Sequence, residues 1–187
     1  MGRIVYWVNQ SVDGFIEGPN GEFDWPVLGP ELSAYSLELS GRAGAFVYGR
    51  KVWEMMSGYW PRVESISTHP HDLAFAPIWR RTPKIVVSRT LDAADHGARV
   101  IGRDLAAEVA ALRAEPGGDL LVTGGAEAAR ALAGLGLLDE WQIFVHPVVL
   151  GGGQPVFARQ DRLGLRLAGT RTFDGASVLL RYERAAG

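Results

Sequence analysis

Short runs of valine, isoleucine and other apolar residues recur along the chain, and most are bounded by glycine, proline or charged residues. Runs of this length and composition are typical of β-strands that are buried within a sheet. The predicted strands are Arg3–Asn9, Ala45–Tyr48, Lys84–Val87, Arg99–Ile101, Asp119–Val122 and Glu140–His146.

Between these runs, apolar residues recur every three or four positions, and this spacing predicts α-helices. Pro30 suits the first position of a helix, Asp72 is expected to cap another, and Pro116 follows the end of a third. The predicted helices are Pro30–Leu39, Arg50–Met56, Asp72–Arg80, Asp104–Ala114 and Glu127–Leu135.

The pattern changes towards the C-terminus, where two longer strands, Leu163–Phe173 and Ser177–Glu183, are predicted to form a hairpin that turns at Asp174-Gly175. Strands that alternate with helices predict an α/β fold with a mostly parallel central sheet and helices on both faces. The hairpin adds an antiparallel C-terminal edge to that sheet. The segments Gly58–Pro70 and Gly151–Gln154 are predicted to be connecting or functional loops.

The composition narrows the class of protein. The chain has 187 residues, of which 47% are hydrophobic and 21% charged, and this predicts one globular domain spanning residues 1–187. Nineteen basic and 21 acidic residues give a net charge of −2, so we expect no nucleic-acid or anionic-membrane partner. No apolar run is long enough for a signal peptide or a membrane span, which predicts a cytoplasmic protein.

The chain has no cysteine, which excludes disulfides, thiolate metal sites, iron–sulfur clusters and a cysteine nucleophile. The histidines His69, His71 and His146 have no second and third ligand at useful spacing, so no metal site is predicted. A nucleophile elbow of the Gly-x-Ser-x-Gly type is also missing from the sequence.

Three turns carry the candidate chemistry, because each joins the end of a strand to the segment that follows it. In an open α/β sheet, ligands bind at this edge, where helix N-termini offer N–H groups and a partial positive charge. In the first turn, Gly49 precedes Arg50, Lys51 and Val52, and the two cations suit a phosphate group. A basic helix start exposed to solvent would look the same.

The second turn contains Ser88 and Arg89, which could hold the 2′-phosphate that distinguishes NADP from NAD, although surface Ser-Arg pairs are common. The third turn places Gly124 and Gly125 between a strand and a helix, where backbone N–H groups could hold a diphosphate. A tight turn that needs glycine only for its shape is the alternative. The Gly-x-Gly-x-x-Gly fingerprint of dinucleotide-binding Rossmann domains does not occur.

Other candidates have weaker patterns. Asp13 follows the first strand, where its carboxylate could face a ligand or serve as an ordinary turn residue. The aromatic residues Phe23, Trp25, Tyr59 and Trp60 could form walls for a flat heterocycle, but such residues more often pack in a core.

Taken in order, these segments resemble the dihydrofolate-reductase-like superfamily. The closer resemblance is to the branch that contains the reductase domain of the bifunctional riboflavin-biosynthesis deaminase–reductase and its stand-alone bacterial relatives. The matching stretches are SVDGFI (Ser11–Ile16), GRKVWE (Gly49–Glu54), KIVVSRTL (Lys84–Leu91), VTGGAEAARAL (Val122–Leu132), GLLDEW (Gly136–Trp141) and HPVVLGGGQPVF (His146–Phe157).

The resemblance implies a three-layer dihydrofolate-reductase-like fold that binds NADPH across the strand ends, in a homodimer. It implies that Asp13 lies near the nicotinamide and the substrate, where it could orient the substrate or relay a proton. The residues implied to contact the cofactor are Gly49, Arg50, Lys51 and Val52 at its phosphates, Ser88 and Arg89 at its adenosine end, and Gly124, Gly125, Ala126 and Glu127 at its diphosphate.

The sequence departs from the family pattern both in the third turn, where the substrate would bind, and in the first turn, at the cofactor. In the third turn, riboflavin-pathway reductases have a pattern that resembles Val-Glu-Gly-Gly, and Thr123 takes the place of its glutamate. In the first turn, Val52 takes the place of a threonine that is common in these relatives and in dihydrofolate reductases. Without the glutamate, a polar group of the riboflavin precursor would be buried unpaired, so we expect a different substrate. The deaminase zinc motif needs cysteine, so we expect no deaminase half in these 187 residues.

These features predict an NADPH-dependent reductase of a small heteroaromatic, carbonyl or imine substrate. Three alternatives stay open: reduction of the riboflavin-pathway pyrimidine, reduction of dihydrofolate, and a dimeric NADP(H)-binding or interaction protein without turnover. The shortage of unambiguous catalytic side chains supports the last of these.

Overall fold

The computed structural model describes residues 2–157 and 162–185, and eight of the strands in this part of the chain form one mixed sheet. The strands run β5-β4-β3-β6-β1-β7-β10-β9 across the sheet, and β2 pairs with β8 outside it. Their bounds are Ile4–Ser11 (β1), Phe15–Glu17 (β2), Ala43–Gly49 (β3), Lys84–Val87 (β4), Arg99–Ile101 (β5), Asp119–Thr123 (β6), Glu140–His146 (β7), Gln154–Pro155 (β8), Leu165–Phe173 (β9) and Ser177–Arg184 (β10).

The first six strands in that order are parallel to one another, while β10 is antiparallel to both β7 and β9. The predicted mostly parallel sheet with an antiparallel C-terminal edge is therefore confirmed. The hairpin turns where predicted: Asp174 and Gly175 have φ values of 53° and 64°, as a two-residue turn between twisted strands requires.

Helices cover both faces of the sheet, as predicted. On one face, α4 and α5 pack through Val109, Leu112 and Leu132, and on the other α2 and α3 pack through Trp53 and Trp79. Near β7 and β10, α1 covers the second face. The helices are Pro30–Gly41 (α1), Arg50–Tyr59 (α2), Pro70–Arg81 (α3), Leu105–Ala114 (α4) and Ala126–Gly134 (α5). No helix in the described part of the chain is both long and apolar enough to cross a membrane.

Two predictions about local structure were wrong. The segment Gly58–Pro70 is largely helical, because α2 continues to Tyr59 and a 3-10 helix, Trp60–Ser65, follows it directly. Asp72 does not cap α3, which begins at Pro70 with His69 as its cap. The Asp72 carboxylate accepts hydrogen bonds from the Tyr59 and Ser67 hydroxyls instead, and so joins α3 to the preceding helical segment.

The glycine-rich loop that begins at Gly151 ends in the short strand β8, which pairs with β2. The Val12 N–H donates to the Val148 carbonyl oxygen and the Val156 N–H to that of Gly14. These bonds hold the two segments together at the carboxyl ends of β1 and β7.

The hairpin turn between β9 and β10 fixes the start of α1. The Asp174 carboxylate accepts hydrogen bonds from the backbone N–H groups of Glu31 and Leu32, at 3.0 and 3.1 Å. The Glu31 carboxylate in turn accepts from the Asp174 N–H at 2.7 Å. This reciprocal arrangement satisfies N–H groups that a helix start leaves open, and it holds α1 against the sheet edge.

Candidate functional site

The three predicted turns meet at one edge of the sheet, because they follow the neighbouring strands β4, β3 and β6. Gly49 at the end of β3 lies opposite Val87 of β4, and Val47 lies opposite Val122 of β6. The Arg50 guanidinium donates to the Thr90 hydroxyl at 3.2 Å and so connects the first turn with the second.

The first and third turns approach each other closely. A Cβ atom added to Gly49 would lie 3.5 Å from Ala128 Cβ, and one added to Gly125 would lie 2.9 Å from Val52 Cγ2. Gly124 and Gly125 have φ values of 62° and 68°, which only glycine adopts at little cost. The starts of α2 and α5 therefore lie side by side at the sheet edge.

These two helix starts differ from the others in the described part of the chain. Side chains accept hydrogen bonds from the first N–H groups of α1, α3 and α4, through Asp174, His69 and Asp104 respectively. No side chain among the described residues does so at α2 or α5, whose cap positions are Gly49 and Gly125. Both starts therefore keep N–H groups and a partial positive charge available for an anion.

Some of the polar side chains around this edge form ion pairs or hydrogen bonds with described residues, and others do not. Arg50 forms an ion pair with Glu54 at 2.9 Å, and Glu127 forms one with Arg130 at 2.7 Å. The Ser88 hydroxyl accepts from the N–H groups of Thr90 and Leu91 and so stabilises the second turn. Lys51 and Arg89 are exposed, and among the described residues neither has an ion-pair or hydrogen-bond partner. Ala126 is buried at the start of α5.

Asp13 anchors the glycine-rich loop. Its carboxylate accepts hydrogen bonds from the N–H groups of Leu150 and Gly151, at 3.1 and 2.8 Å. The Ser11 hydroxyl and then these N–H groups lower the pKa of Asp13 below its ordinary value, although slight burial opposes them. A carboxylate stabilised in its ionised form holds a loop well but is a poor proton donor at neutral pH. A role of Asp13 in proton transfer stays a prediction.

The four aromatic candidates separate into two groups. Phe23 and Trp25 form an edge-on pair with ring centroids 5.7 Å apart, and Trp25 also packs edge-on against His146 at 5.6 Å. Tyr59 contacts Trp60, which is 9% exposed and lies in the core between α2 and α3. Trp60 therefore packs in the core and offers little surface to a ligand, whereas Phe23 is 49% exposed.

Thr123 ends β6 beside Trp7 of β1, on the face of the sheet that α2 covers. Its hydroxyl oxygen is buried and lies beside the Tyr48 hydroxyl. Burial raises the pKa of Tyr48, and the contacts with Thr123 and Trp79 oppose this only in part, so the Tyr48 hydroxyl, which accepts from Trp79 Nε1, stays protonated. Thr123 therefore places a hydroxyl at the end of β6 with Tyr48 as its polar neighbour.

A buried polar chain that the sequence did not predict lies next to this face. His146 Nε2 is 2.8 Å from Asn9 Oδ1, and His146 Nδ1 is 3.3 Å from Ser177 Oγ. All three residues are buried. The only signal in the sequence is that Asn9 and His146 are polar residues at the ends of apolar strands. Their contact joins positions 137 residues apart.

A depression of about 540 Å³ lies at the opposite end of the strands, beside Arg3 and Arg113. Glu183 and Asp139 neutralise these two arginines, so the depression is not a focus of unpaired charge. In the described part of the chain, no three acidic or histidine side chains converge as metal ligands would.

Comparisons with known proteins agree with this geometry. The model of the RibD C-terminal domain family matches residues 3–179. The uncharacterized protein YyaP of Bacillus subtilis is 34% identical over 185 residues, covering 97% of this chain and 94% of its own.

Two solved structures share the fold. A protein from Shewanella sp. PV-4 that is provisionally assigned to riboflavin biosynthesis has a TM-score of 0.75 at 22% identity, with both chains fully covered. Dihydrofolate reductase from Enterococcus faecalis, solved with NADP(H), has a TM-score of 0.65 at 17% identity over 99% of this chain and 98% of its own. The predicted dihydrofolate-reductase-like architecture is therefore confirmed.

Proposed function

The chain belongs to the family of RibD C-terminal domains, and from that premise we propose that it is an NADPH-dependent reductase of a small heteroaromatic, carbonyl or imine substrate. The observation that carries the proposal is the pair of adjacent helix starts, α2 and α5, whose N–H groups no described side chain occupies. Two such starts side by side suit a ligand with several phosphate groups. The reductase family supplies the expectation that this ligand is a dinucleotide.

The residues at the sheet edge fit the cofactor by their chemistry. The N–H groups at the starts of α2 and α5 would bind the diphosphate, and Gly124 and Gly125 allow the backbone to approach it because they carry no side chain. Arg89 and Lys51, which are exposed and unpaired among the described residues, would bind the 2′-phosphate that NADH lacks. When bound, the cofactor supplies a hydride, and the protein supplies orientation and a dry site.

The protein's own side chains would then act on the substrate. The buried Thr123 hydroxyl supplies a hydrogen-bonding group at the strand end, and Phe23 and Trp25 supply a flat apolar wall. Asp13 would keep the glycine-rich loop against β1, which helps to exclude water from the site.

Binding measurements with NADPH and NADH test the proposal. We expect NADPH to bind with micromolar or tighter affinity, as followed by its fluorescence and by thermal shift, and NADH to bind more weakly. The variant Arg89→Ala should lose about tenfold or more in NADPH affinity and almost nothing for NADH, because one charge-assisted contact with a phosphate is removed.

Arg81→Ala is the matched control, since Arg81 is also exposed and without a described partner but precedes β4, at the opposite end of the strand. It should leave both affinities unchanged. Absence of NADPH binding to the wild-type protein would refute the proposal. Equal losses in the two arginine variants would refute only the role of Arg89.

One observation favours a binding protein without turnover as the second candidate. Asp13, the predicted proton relay, already accepts two backbone hydrogen bonds and is held in its ionised form. A crystal structure with NADP would separate the two functions. An open, aromatic-walled cleft beside the nicotinamide indicates a reductase, and a cleft filled by protein side chains indicates binding alone.

A further inference from the structure

The buried chain formed by Ser177, His146 and Asn9 connects β10, β7 and β1 at their ends. His146 is 1% exposed, and burial lowers the pKa of its imidazole to about 4, so the ring is neutral at pH 7. A neutral imidazole carries one N–H and offers one acceptor nitrogen, and both nitrogens are in contact with a partner.

The partners determine which nitrogen carries the proton. Asn9 faces the ring with Oδ1, which can only accept, so His146 Nε2 must donate. His146 Nδ1 is then an acceptor, and the Ser177 hydroxyl donates to it. The order of donation runs from Ser177 through His146 to Asn9. The Asn9 carboxamide is thereby fixed with its Nδ2 directed away from the histidine.

Asn9 lies where the proposed site needs a substrate contact. Trp7 pairs with Thr123 at the end of β6, and the Gly124 N–H donates to the Trp7 carbonyl oxygen. Asn9 follows two residues later on the same face of β1, beyond the end of β6 and opposite Phe144 of β7. The ring of Trp25 packs against the same histidine and borders this position.

Asn9 keeps an unused donor on this face. The residue is 7% exposed, and its Nδ2 donates to no residue within the ranges 2–157 and 162–185. The Thr123 hydroxyl, on a neighbouring strand, has a buried oxygen and the Tyr48 hydroxyl as its polar neighbour. A carboxamide that is held through its oxygen and offers an unused N–H donor at a strand end suits a polar ligand there.

We propose that Asn9 donates a hydrogen bond from Nδ2 to a carbonyl oxygen of the substrate, and that His146 and Ser177 are positioning residues that keep this donor in place. The inference rests on the proposed reductase function and narrows its substrate class to flat heterocycles or carbonyl compounds that carry such an oxygen. It gives a role to a buried histidine whose ring is neutral at pH 7.

Two pyrimidines of similar size serve as probes in the presence of saturating NADP⁺. One is 6-aminouracil, which has ring carbonyls, and the other is 2,4,6-triaminopyrimidine, which has amino groups in their place. We expect the wild-type protein to bind 6-aminouracil more tightly, as measured by titration calorimetry. Asn9→Leu should weaken that binding about tenfold, because a hydrogen bond is lost and the carbonyl is left unpaired.

The variant Asn9→Asp distinguishes recognition from structural damage. It replaces the donor with an acceptor, so the preference between the two pyrimidines should reverse, which a merely loosened site would not produce. Asn20→Ala is the matched control, since Asn20 lies in an exposed turn and contacts Glu22. It should leave the affinities for both pyrimidines unchanged.

The positioning role predicts a rescue. His146→Phe removes both nitrogens and should lower 6-aminouracil affinity as Asn9→Leu does, whereas His146→Gln retains an N–H close to the Nε2 position and should restore most of it. Ser177→Ala should have a smaller effect of the same sign. If a leucine or phenylalanine variant does not fold, the Asp and Gln variants still decide the question.

Measuring NADPH affinity on the same variants keeps the inference separate from the proposed function. If the wild-type protein binds NADPH, two results would overturn the inference alone. One is that the wild-type protein binds neither pyrimidine, and the other is that Asn9→Leu leaves the affinity for 6-aminouracil unchanged. Failure of the wild-type protein to bind NADPH would overturn the proposed function beneath it.

Discussion

At the scale of single residues, the turn at Gly124 and Gly125 shows two different reasons why a position requires glycine. Both residues have positive φ, so both avoid the strain that an L side chain meets there. Only Gly125 also meets a neighbour, because an added Cβ would lie 2.9 Å from Val52 Cγ2, while the same atom on Gly124 would meet nothing within 4 Å. The approach of α2 to the turn therefore depends on Gly125.

This difference predicts unequal costs. Gly124→Ala should lower the free energy of unfolding by about 1 kcal/mol, through backbone strain alone. Gly125→Ala should cost about 2–3 kcal/mol, because overpacking against Val52 is added. Urea denaturation measures both values.

The double variant Gly125→Ala with Val52→Ala is the control for the steric part. It should recover part of the loss when compared with Val52→Ala alone, since the clashing methyl group is absent. Equal costs for the two glycine substitutions, or no recovery in the double variant, would contradict this account of the turn.

At the scale of elements, one buried carboxylate joins three neighbouring strands. Glu140 at the start of β7 is 2% exposed and forms ion pairs with Arg3, which precedes β1, at 2.9 Å and with Arg181 of β10 at 3.1 Å. Burial alone would raise the pKa of Glu140, but Arg181, Gln142 and Arg3 outweigh it and lower the pKa. The side chain is therefore ionised and held from both sides.

Glu140→Gln should lower the free energy of unfolding by about 1–3 kcal/mol, because two arginines lose a shared buried partner. The exposed pair Arg42–Glu38, at 3.2 Å, provides the comparison, and Glu38→Gln should cost less than about 0.5 kcal/mol. Chemical denaturation at low salt measures the difference. Similar values for the two variants would show that burial of Glu140 adds nothing.

Most elements could be predicted because their signals are local. Buried parallel strands are continuous Val/Ile runs, and Pro30, Pro116 and the Asp174-Gly175 turn mark the ends of elements. Strands β2 and β8 have three and two residues and depend on contacts with each other, so no local pattern reveals them. The 3-10 helix at Trp60–Ser65 was missed because glycine and proline nearby resemble a loop.

Some residues of the candidate site could likewise be predicted from the sequence, and others could not. The glycine turns could be predicted because their spacing after apolar strands is visible in the sequence. The Asn9–His146 contact could not, since it depends on β1 and β7 being neighbours with Asn9 opposite Phe144. The anchoring of the glycine-rich loop by Asp13 likewise depends on folding, as Asp13 and Gly151 are 138 residues apart.

At the scale of the whole molecule, buried histidines couple stability to pH. Burial lowers the pKa of His146 to about 4 from an ordinary value of 6.5, and it also lowers the pKa of His71. The unfolded chain therefore binds protons at a higher pH than the folded protein does. Stability from these groups is fully present above pH 6.5 and is lost as the pH falls towards 4.

His146→Gln should make the protein less sensitive to acid in this window. We expect the wild-type protein to lose on the order of 1–3 kcal/mol more than the variant between pH 6.5 and pH 4, as measured by urea denaturation. The comparison cancels contributions from His71 and from the carboxylates. Identical pH profiles would show that folding does not lower the pKa of His146.

The position of β1 within the sheet also affects the order in which the chain can fold. β1 lies between β6 and β7, and 116 residues separate Arg3 from Asp119, to which its backbone bonds. A ribosome adds roughly 5–20 residues per second, so the neighbouring strand β6 is synthesised on the order of ten seconds after β1. During synthesis the segment Ile4–Val8 is thus exposed to chaperones and to aggregation, although it is buried between β6 and β7 in the folded sheet.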